Sequence, residues 1–162
     1  MRVSDINWSS WEPEEVATLM FVQRGNEVLL IRKKRGLGAG KINGPGGKIE
    51  GNETPMACAI RETEEELLIT PTGVQHRGEL FFHSNDFPRI HAFVYTATGF
   101  SGTPQETGEA VPLWYHVNDI PYHEMWADDE HWLPQVLEGL TIRGRFTFIG
   151  ETLLDHHVII DP

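Results

Sequence analysis

Residues 47 to 69, GKIEGNETPMACAIRETEEELLI, follow a glycine-rich turn (Gly44-Pro45-Gly46-Gly47) and constrain the chain more than any other stretch. Thr54 is a good N-cap and Pro55 suits a first helical position, so a helix is predicted to start there. Glu62, Glu64, Glu65 and Glu66 lie toward its C-terminal end. They repel one another and face the negative pole of the helix dipole, which favours cations. Stability alone does not select this pattern; a bound cation accounts for it. At about 100° per residue, Met56, Ile60, Thr63 and Leu67 fall on one face, and Glu62, Glu65 and Glu66 on the roughly opposite one. One side is therefore expected to pack and the other to present three carboxylates. Cys58, one turn before Glu62, reads as a small tolerated residue.

Three carboxylates, with Cys58 set aside and no His nearby, make a hard-oxygen site, suited to magnesium or manganese. Such an ion neutralises phosphate charge and activates water for attack at phosphorus. Glycines before the helix let backbone approach such an assembly. The competing reading of the glutamates is a solvated helix face. Positive charge points the same way as the metal. Arg24, Arg32, Lys33, Lys34, Arg35, Lys41 and Lys48 are seven of the 13 basic residues, in a chain of net charge −11. A local basic loop beside an acidic site fits a polyphosphate ligand, whereas the overall charge argues against duplex nucleic acid.

The rest of the chain reads as one domain of the α+β class with a mixed sheet, residues 16–162, preceded by an arm at 1–15 of uncertain order that carries Trp8 and Trp11. Val16–Gln23 and Glu27–Lys34 are strands of a hairpin around Arg24-Gly25-Asn26. Arg35–Gly46, with five glycines, reads as a long functional loop. Gly78–Ser84 and Ile90–Thr98 read as strands flanking a turn, Leu113–Val117 as a short strand, and Asp129–Leu137 as a second helix closed by Gly139. Thr141–Ile149 and Leu153–Ile160 read as a final hairpin. A lone cysteine and the lack of a roughly 20-residue apolar run point to a soluble cytoplasmic protein without membrane contact.

The acidic helix and its turn resemble the Nudix box. The matching positions are Gly47, Glu53 and Arg61-Glu62-Thr63-Glu64-Glu65-Glu66-Leu67-Leu68-Ile69. Two positions depart from it: Thr63 replaces a hydrophobic residue, and Leu68 replaces the glycine that ends the helix. Without that glycine the αL cap is not expected, and the chain is expected to leave the helix differently, toward Pro71. The resemblance implies a Nudix-type α/β/α sandwich with a central mixed sheet and a loop-helix-loop. It also implies magnesium dependence, with manganese as a substitute, and hydrolysis of nucleoside diphosphate derivatives. On its terms Glu62, Glu65, Glu66, Glu109 and the Gly46 backbone bind metal. Glu62 or Glu65 is the base, and Arg61 orients them.

Further stretches resemble the mammalian MutT-homologue type within that family, which hydrolyses oxidised purine nucleoside triphosphates such as 8-oxo-dGTP and 2-hydroxy-dATP. They are residues 33–44, Gly102-Thr103-Pro104, Met125-Trp126-Ala127-Asp128-Asp129 and Phe146-Thr147-Phe148. Position by position, Asn43, Asp128 and Asp129 would read the base edge, Trp126 would stack on the ring, and Lys33, Leu37 and Phe148 would line the pocket. Leu37 stands where that type has an aromatic, Ile42 where it has a tryptophan and Pro45 where it has a phenylalanine. An aromatic platform is worth about 1–3 kcal/mol per base, and paired aspartates can accept or, when protonated, donate. The plain alternative makes Asp128 an N-cap and Asp129 a first-turn acid.

The expected activity is cleavage of a small-molecule nucleotide to monophosphate and pyrophosphate by a monomer that cleanses the nucleotide pool and so prevents DNA damage. The alternatives are another Nudix substrate (a dinucleoside polyphosphate, a capped RNA end or ADP-ribose) or a non-catalytic nucleotide sensor.

Overall fold

The computed structural model describes residues 1–161. β1 (Glu15–Arg24) and β2 (Glu27–Lys33) form the expected hairpin, with Arg24 opposite Glu27. β6 (Gln75–Ser84) and β7 (Ile90–Ala97) form a second, β10 (Thr141–Ile149) and β11 (Thr152–Asp161) a third. Parallel pairings of β7 with β1 and of β10 with β6 join the hairpins. The result is a mixed nine-stranded sheet in the order β11-β10-β6-β7-β1-β2-β3. β3 (Ile42–Asn43) and β9 (Ala110–His116) pair with β2, and β4 (Gly46–Lys48) pairs with β1.

Helix α1 (Pro55–Leu67) and helix α2 (Asp129–Leu137) cover opposite faces, giving the α/β/α sandwich. Alternation along β1 shows the division: Phe21 packs with Trp132, Leu133 and Val136 of α2, while Met20 and Val22 pack with Ala59 and Leu67 of α1. No helix among the described residues is long and apolar enough to cross a membrane.

Several expectations need correction. The stretch 35–46 is not wholly loop, because β3 and the start of β4 lie within it, recruited by the free edges of β2 and β1. β9 starts at Ala110, because its pairing with β2 extends to Lys33. The short ribbon of β5 (Thr70–Thr72) with β8 (Gly99–Ser101) has no strong sequence signal. The arm is ordered, with a 3-10 turn at Val3–Asp5.

Helix α1 begins as the sequence dictates, with the Thr54 hydroxyl accepting from the Ala57 N–H over 3.1 Å. Its packed stripe, however, is Ala59, Thr63, Glu66 and Leu67 with Cys58 beside it. Small residues there let the helix approach β1 and β4 closely, and Met56 in the first turn is left 39% exposed. The helix also ends in an αL residue after all: Leu68 takes φ 61° and ψ 33°, and its N–H donates to the Glu64 carbonyl.

Candidate active site

A cleft of about 560 Å³ opens between the glycine-rich turn, the β6–β7 turn and the N-terminal end of α2. Glu62, Glu66, Glu109, Gly46 and Gly47 line it, as do Lys33, Leu37, Asn43, Trp126, Asp128, Asp129 and Phe148. Of the residues singled out from the sequence, Glu65 and Arg61 are not among its walls.

The acidic end depends on the β1–β4 pairing, which lays Gly46 and Gly47 against Leu19 and Thr18. A Cβ on Gly47 would lie 2.5 Å from Glu62 Cδ, and one on Gly46 would overlap the Thr18 carbonyl. Glycine is required here by close approach. The Gly46 N–H donates to Glu66 Oε2 over 2.9 Å. Glu66 is only 5% exposed; burial lifts its pKa to about 8, against the opposing pull of the Gly46 N–H. Glu62 is raised in the same direction, also by burial. The picture of three carboxylates on one open face therefore changes: Glu66 is buried, Glu62 half-buried and Glu65 exposed.

Arg61 ties this end together. Its guanidinium donates to Glu53 at 2.7 and 3.0 Å, to Glu62 at 3.1 Å and to Glu65 at 3.2 Å. Glu53 falls to about 2, chiefly through Arg61 and then through the Glu50 N–H. Glu62 and Glu65 thus share one cation although only Glu62 reaches the cleft. Cys58 is buried beside Thr18 Oγ1 at 3.4 Å, and burial pushes its thiol up to about 11, which suits packing rather than chemistry. Glu109 arrives on the loop before β9, paired with Arg35 at 3.6 Å.

The donor set fits a hard divalent cation: carboxylate oxygens, backbone, and a desolvated Glu66 whose ionised form lacks a cationic partner. Among the described residues no three such groups converge on one point as they stand.

The other end is built differently. Asp128 and Asp129 are each 3% exposed. Asp128 does not cap α2 through its side chain. Its Oδ2 accepts instead from the Trp132 indole N–H at 2.8 Å, one helical turn on. Asp129 Oδ2 is buried with no hydrogen-bond partner among the described residues. Burial raises both pKa values, and the neighbouring Asp128 charge raises Asp129 further. A buried oxygen left unpaired is costly unless a ligand completes it.

Trp126 lies with Phe148 and Phe87 edge-on at 6.1 and 6.3 Å, and Lys41 Nζ is 5.2 Å from its ring. A Cβ on Gly38, at φ +80°, would come within 2.7 Å of its Nε1, so only glycine lets the loop pass. Asn43 Oδ1 accepts from the Gly44 N–H, leaving the amide nitrogen as a donor. Lys33 Nζ donates to the Leu37 carbonyl at 2.7 Å and holds the rim. Sequence reading missed Trp132 and Phe87, of which only Trp132 left a signal, its i, i+4 spacing from Asp128; it placed Lys41 in the basic loop, not beside the Trp126 ring.

Residues 13–136 match the NUDIX domain model. The chain belongs to that family. It is 36% identical over 146 residues to the oxidized purine nucleoside triphosphate hydrolase of Danio rerio, covering 88% of this chain and 92% of that protein. The Mus musculus protein of the same name is 36% identical over 132 residues, covering 81% and 85%. The MutT protein of Bacillus halodurans superimposes with a TM-score of 0.80 at 24% identity, over 89% of this chain and 97% of that one. In this Nudix chain the box is the β4–α1 segment described above.

Proposed function

We propose that this chain hydrolyses oxidised purine nucleoside triphosphates, of the 8-oxo-dGTP and 2-hydroxy-dATP type, to monophosphate and pyrophosphate. The observation carrying the reading is the two-ended cleft: Glu62, Glu66 and Glu109 at one end, and Asn43, Trp126, Asp128 and Asp129 at the other. A nucleotide with its phosphates at the acidic end and its base between Trp126 and the aspartates satisfies both. The unpaired Asp129 Oδ2 can accept from a purine N–H, or donate to a ring acceptor when protonated. The activity of the fish and mouse relatives supports the same substrate class.

Glu62, Glu66 and Glu109, with the Gly46 backbone and Glu65 drawn in from the edge, would hold magnesium or manganese. When bound, that ion offsets phosphate charge and makes water acidic enough to attack at neutral pH. Glu62 or Glu65 takes the water proton as the new oxygen–phosphorus bond forms and the bridging bond breaks toward pyrophosphate. Arg61 fixes the approach of both carboxylates. Lys33, on the cleft wall, would meet phosphate oxygens. The protein acts as a monomer in the cytoplasm, on a free nucleotide.

The test is a panel of kcat/KM values for 8-oxo-dGTP, 2-hydroxy-dATP, dGTP and a dinucleoside polyphosphate with magnesium, using Glu65→Gln as control. Oxidised purines should lead the panel. If dGTP equalled them, the substrate class would be wrong and only the reaction type would stand.

A further inference from the structure

Strands β6, β7 and β10 use their two faces differently. Phe82, Ser84, Ile90 and Phe148 line the cleft. By strand alternation Phe81, His83, His91 and Thr147 point the other way. The cover on that reverse side is the N-terminal arm. The Met1 carbonyl accepts from Thr147 Oγ1 at 2.8 Å, and the Val3 N–H donates to Asp155 Oδ2 at 2.7 Å. The Trp8 indole donates to the Val3 carbonyl at 2.9 Å, with the Arg145 guanidinium 5.2 Å from its ring.

Trp11 makes the contact nearest the cleft. Its ring meets Phe81 edge-on at 6.0 Å, and its Nε1–H donates to His83 Nδ1 at 3.1 Å. Further along the arm, Arg89 Nε donates to the Glu12 carbonyl at 2.9 Å, and its guanidinium pairs with Glu14 at 3.2 Å. The Glu14 N–H returns a bond to the Arg89 carbonyl at 2.8 Å. The arm thus grips the β6–β7 turn at both ends, at His83 and at Arg89. Between the grips lie Phe87 and Pro88, which line the cleft, and Phe87 stands perpendicular to Trp126. At the front of the turn Asp86 accepts from Ser84 Oγ and the Gly150 N–H, and the Phe87 N–H donates to Ser84 Oγ at 3.2 Å.

We propose that the arm is a positioning element for base recognition: Trp11 on His83, and Glu12 and Glu14 on Arg89, set where Phe87 and Pro88 stand against Trp126. An aromatic rim displaced by even 1 Å packs less well on a flat ring, so the arm raises affinity for the base without touching it. The proposal rests on the reading that the Trp126–Asp129 end takes the base. It concerns the purine moiety and leaves the phosphate end untouched.

Calorimetric titration separates the two ends. The probes are 8-oxo-dGMP and dGMP for the base end, and magnesium pyrophosphate for the acidic end. The proteins are the full chain and its Trp11→Phe, Trp11→Ala and Arg89→Gln variants. Trp11→Phe keeps a ring on Phe81 and removes only the donor, so it carries the test if Trp11→Ala fails to fold. Mononucleotide Kd should rise about threefold to tenfold in Trp11→Phe and Arg89→Gln, the span of one lost positioning hydrogen bond. Pyrophosphate Kd and kcat should stay within about twofold of the unsubstituted protein. Unchanged mononucleotide binding in the folded variants, or an equal loss of pyrophosphate binding, overturns the proposal. If the unsubstituted chain bound dGMP as tightly as 8-oxo-dGMP, the oxidised-purine reading would fall, while the comparison among variants would still decide the role of the arm.

Discussion

The Trp132 indole N–H donates to Asp128 Oδ2 over 2.8 Å inside the core, so a fully buried aromatic fixes the orientation of a carboxylate at the base end of the cleft. Trp132 also packs edge-on against Phe21 of β1 at 5.8 Å, which ties the carboxylate to the centre of the sheet. Replacing Trp132 by Phe keeps most of the packing but strips Asp128 of this donor. Stability should fall by about 1–3 kcal/mol, the usual cost of an unpaired buried polar group. Chemical denaturation would show it, and KM for oxidised purines should rise more than kcat falls. Unchanged KM would mean that Asp128 does not read the base.

The paired aspartates give a pH dependence of definite sign. In the unfolded chain each titrates near the ordinary aspartate value of 3.8, whereas in the fold burial raises both, Asp129 further because it faces Asp128. Below about pH 4 both states are protonated and nothing is lost. As pH rises the unfolded chain releases these protons first, so stability falls until the folded-state pKa values are passed. Asp129→Asn removes one titration and should flatten this decline, gaining stability on the unsubstituted protein as pH rises. Urea titrations of the metal-free protein from pH 4 to 9 would measure it; parallel curves for the two proteins would remove Asp129 as a source. Substrate ratios between guanine-like and adenine-like oxidised bases should shift over the same range.

How much of this could be read in the sequence differs sharply by element. The cap at Thr54, the three hairpins and the helix Asp129–Leu137 were legible because local chemistry decides them: a hydroxyl before Pro55, turn residues such as Gly25, Pro88 and Gly150, alternating apolar residues. The spacing of Glu62 and Glu66 placed both near one site. It could not tell that Glu66 is buried, because burial comes from Gly46 crossing over it in the β1–β4 pairing, a contact 20 residues away. Glu65 shows the reverse limit: helix geometry put it beside Glu62, yet in the fold it stays exposed and joins the site only through Arg61. The arm was opaque for a similar reason. Nothing local to Trp11 points to His83, 72 positions on.

Glu65→Gln and Glu66→Gln should separate chemistry from metal affinity. A lost general base lowers turnover by about 10²–10⁴-fold. Glu65→Gln should show that fall in kcat if Glu65 takes the proton; a near-native kcat would pass the role to Glu62. Glu66→Gln should instead raise the magnesium concentration needed for half-maximal rate. It should leave the metal-free fold at least as stable above pH 8, because it deletes a carboxylate that burial resists ionising. A magnesium requirement unchanged in Glu66→Gln would exclude it as a ligand.

Leu68 offers a test of backbone strain. It is the one non-glycine residue with positive φ among those described, and its side chain is 52% exposed, so little packing compensates the left-handed geometry. A branched L-residue in that region costs about 1–2 kcal/mol relative to its relaxed state, and glycine adopts it freely. Leu68→Gly also loosens the unfolded chain, which offsets part of the gain. The net expectation is a stabilisation of about 0.5–1 kcal/mol, about 1–4 °C in Tm for a chain of this size, with kcat/KM unchanged. A Tm drop in scanning calorimetry would show that Leu68 packs on the β5–β8 ribbon more than its exposure indicates.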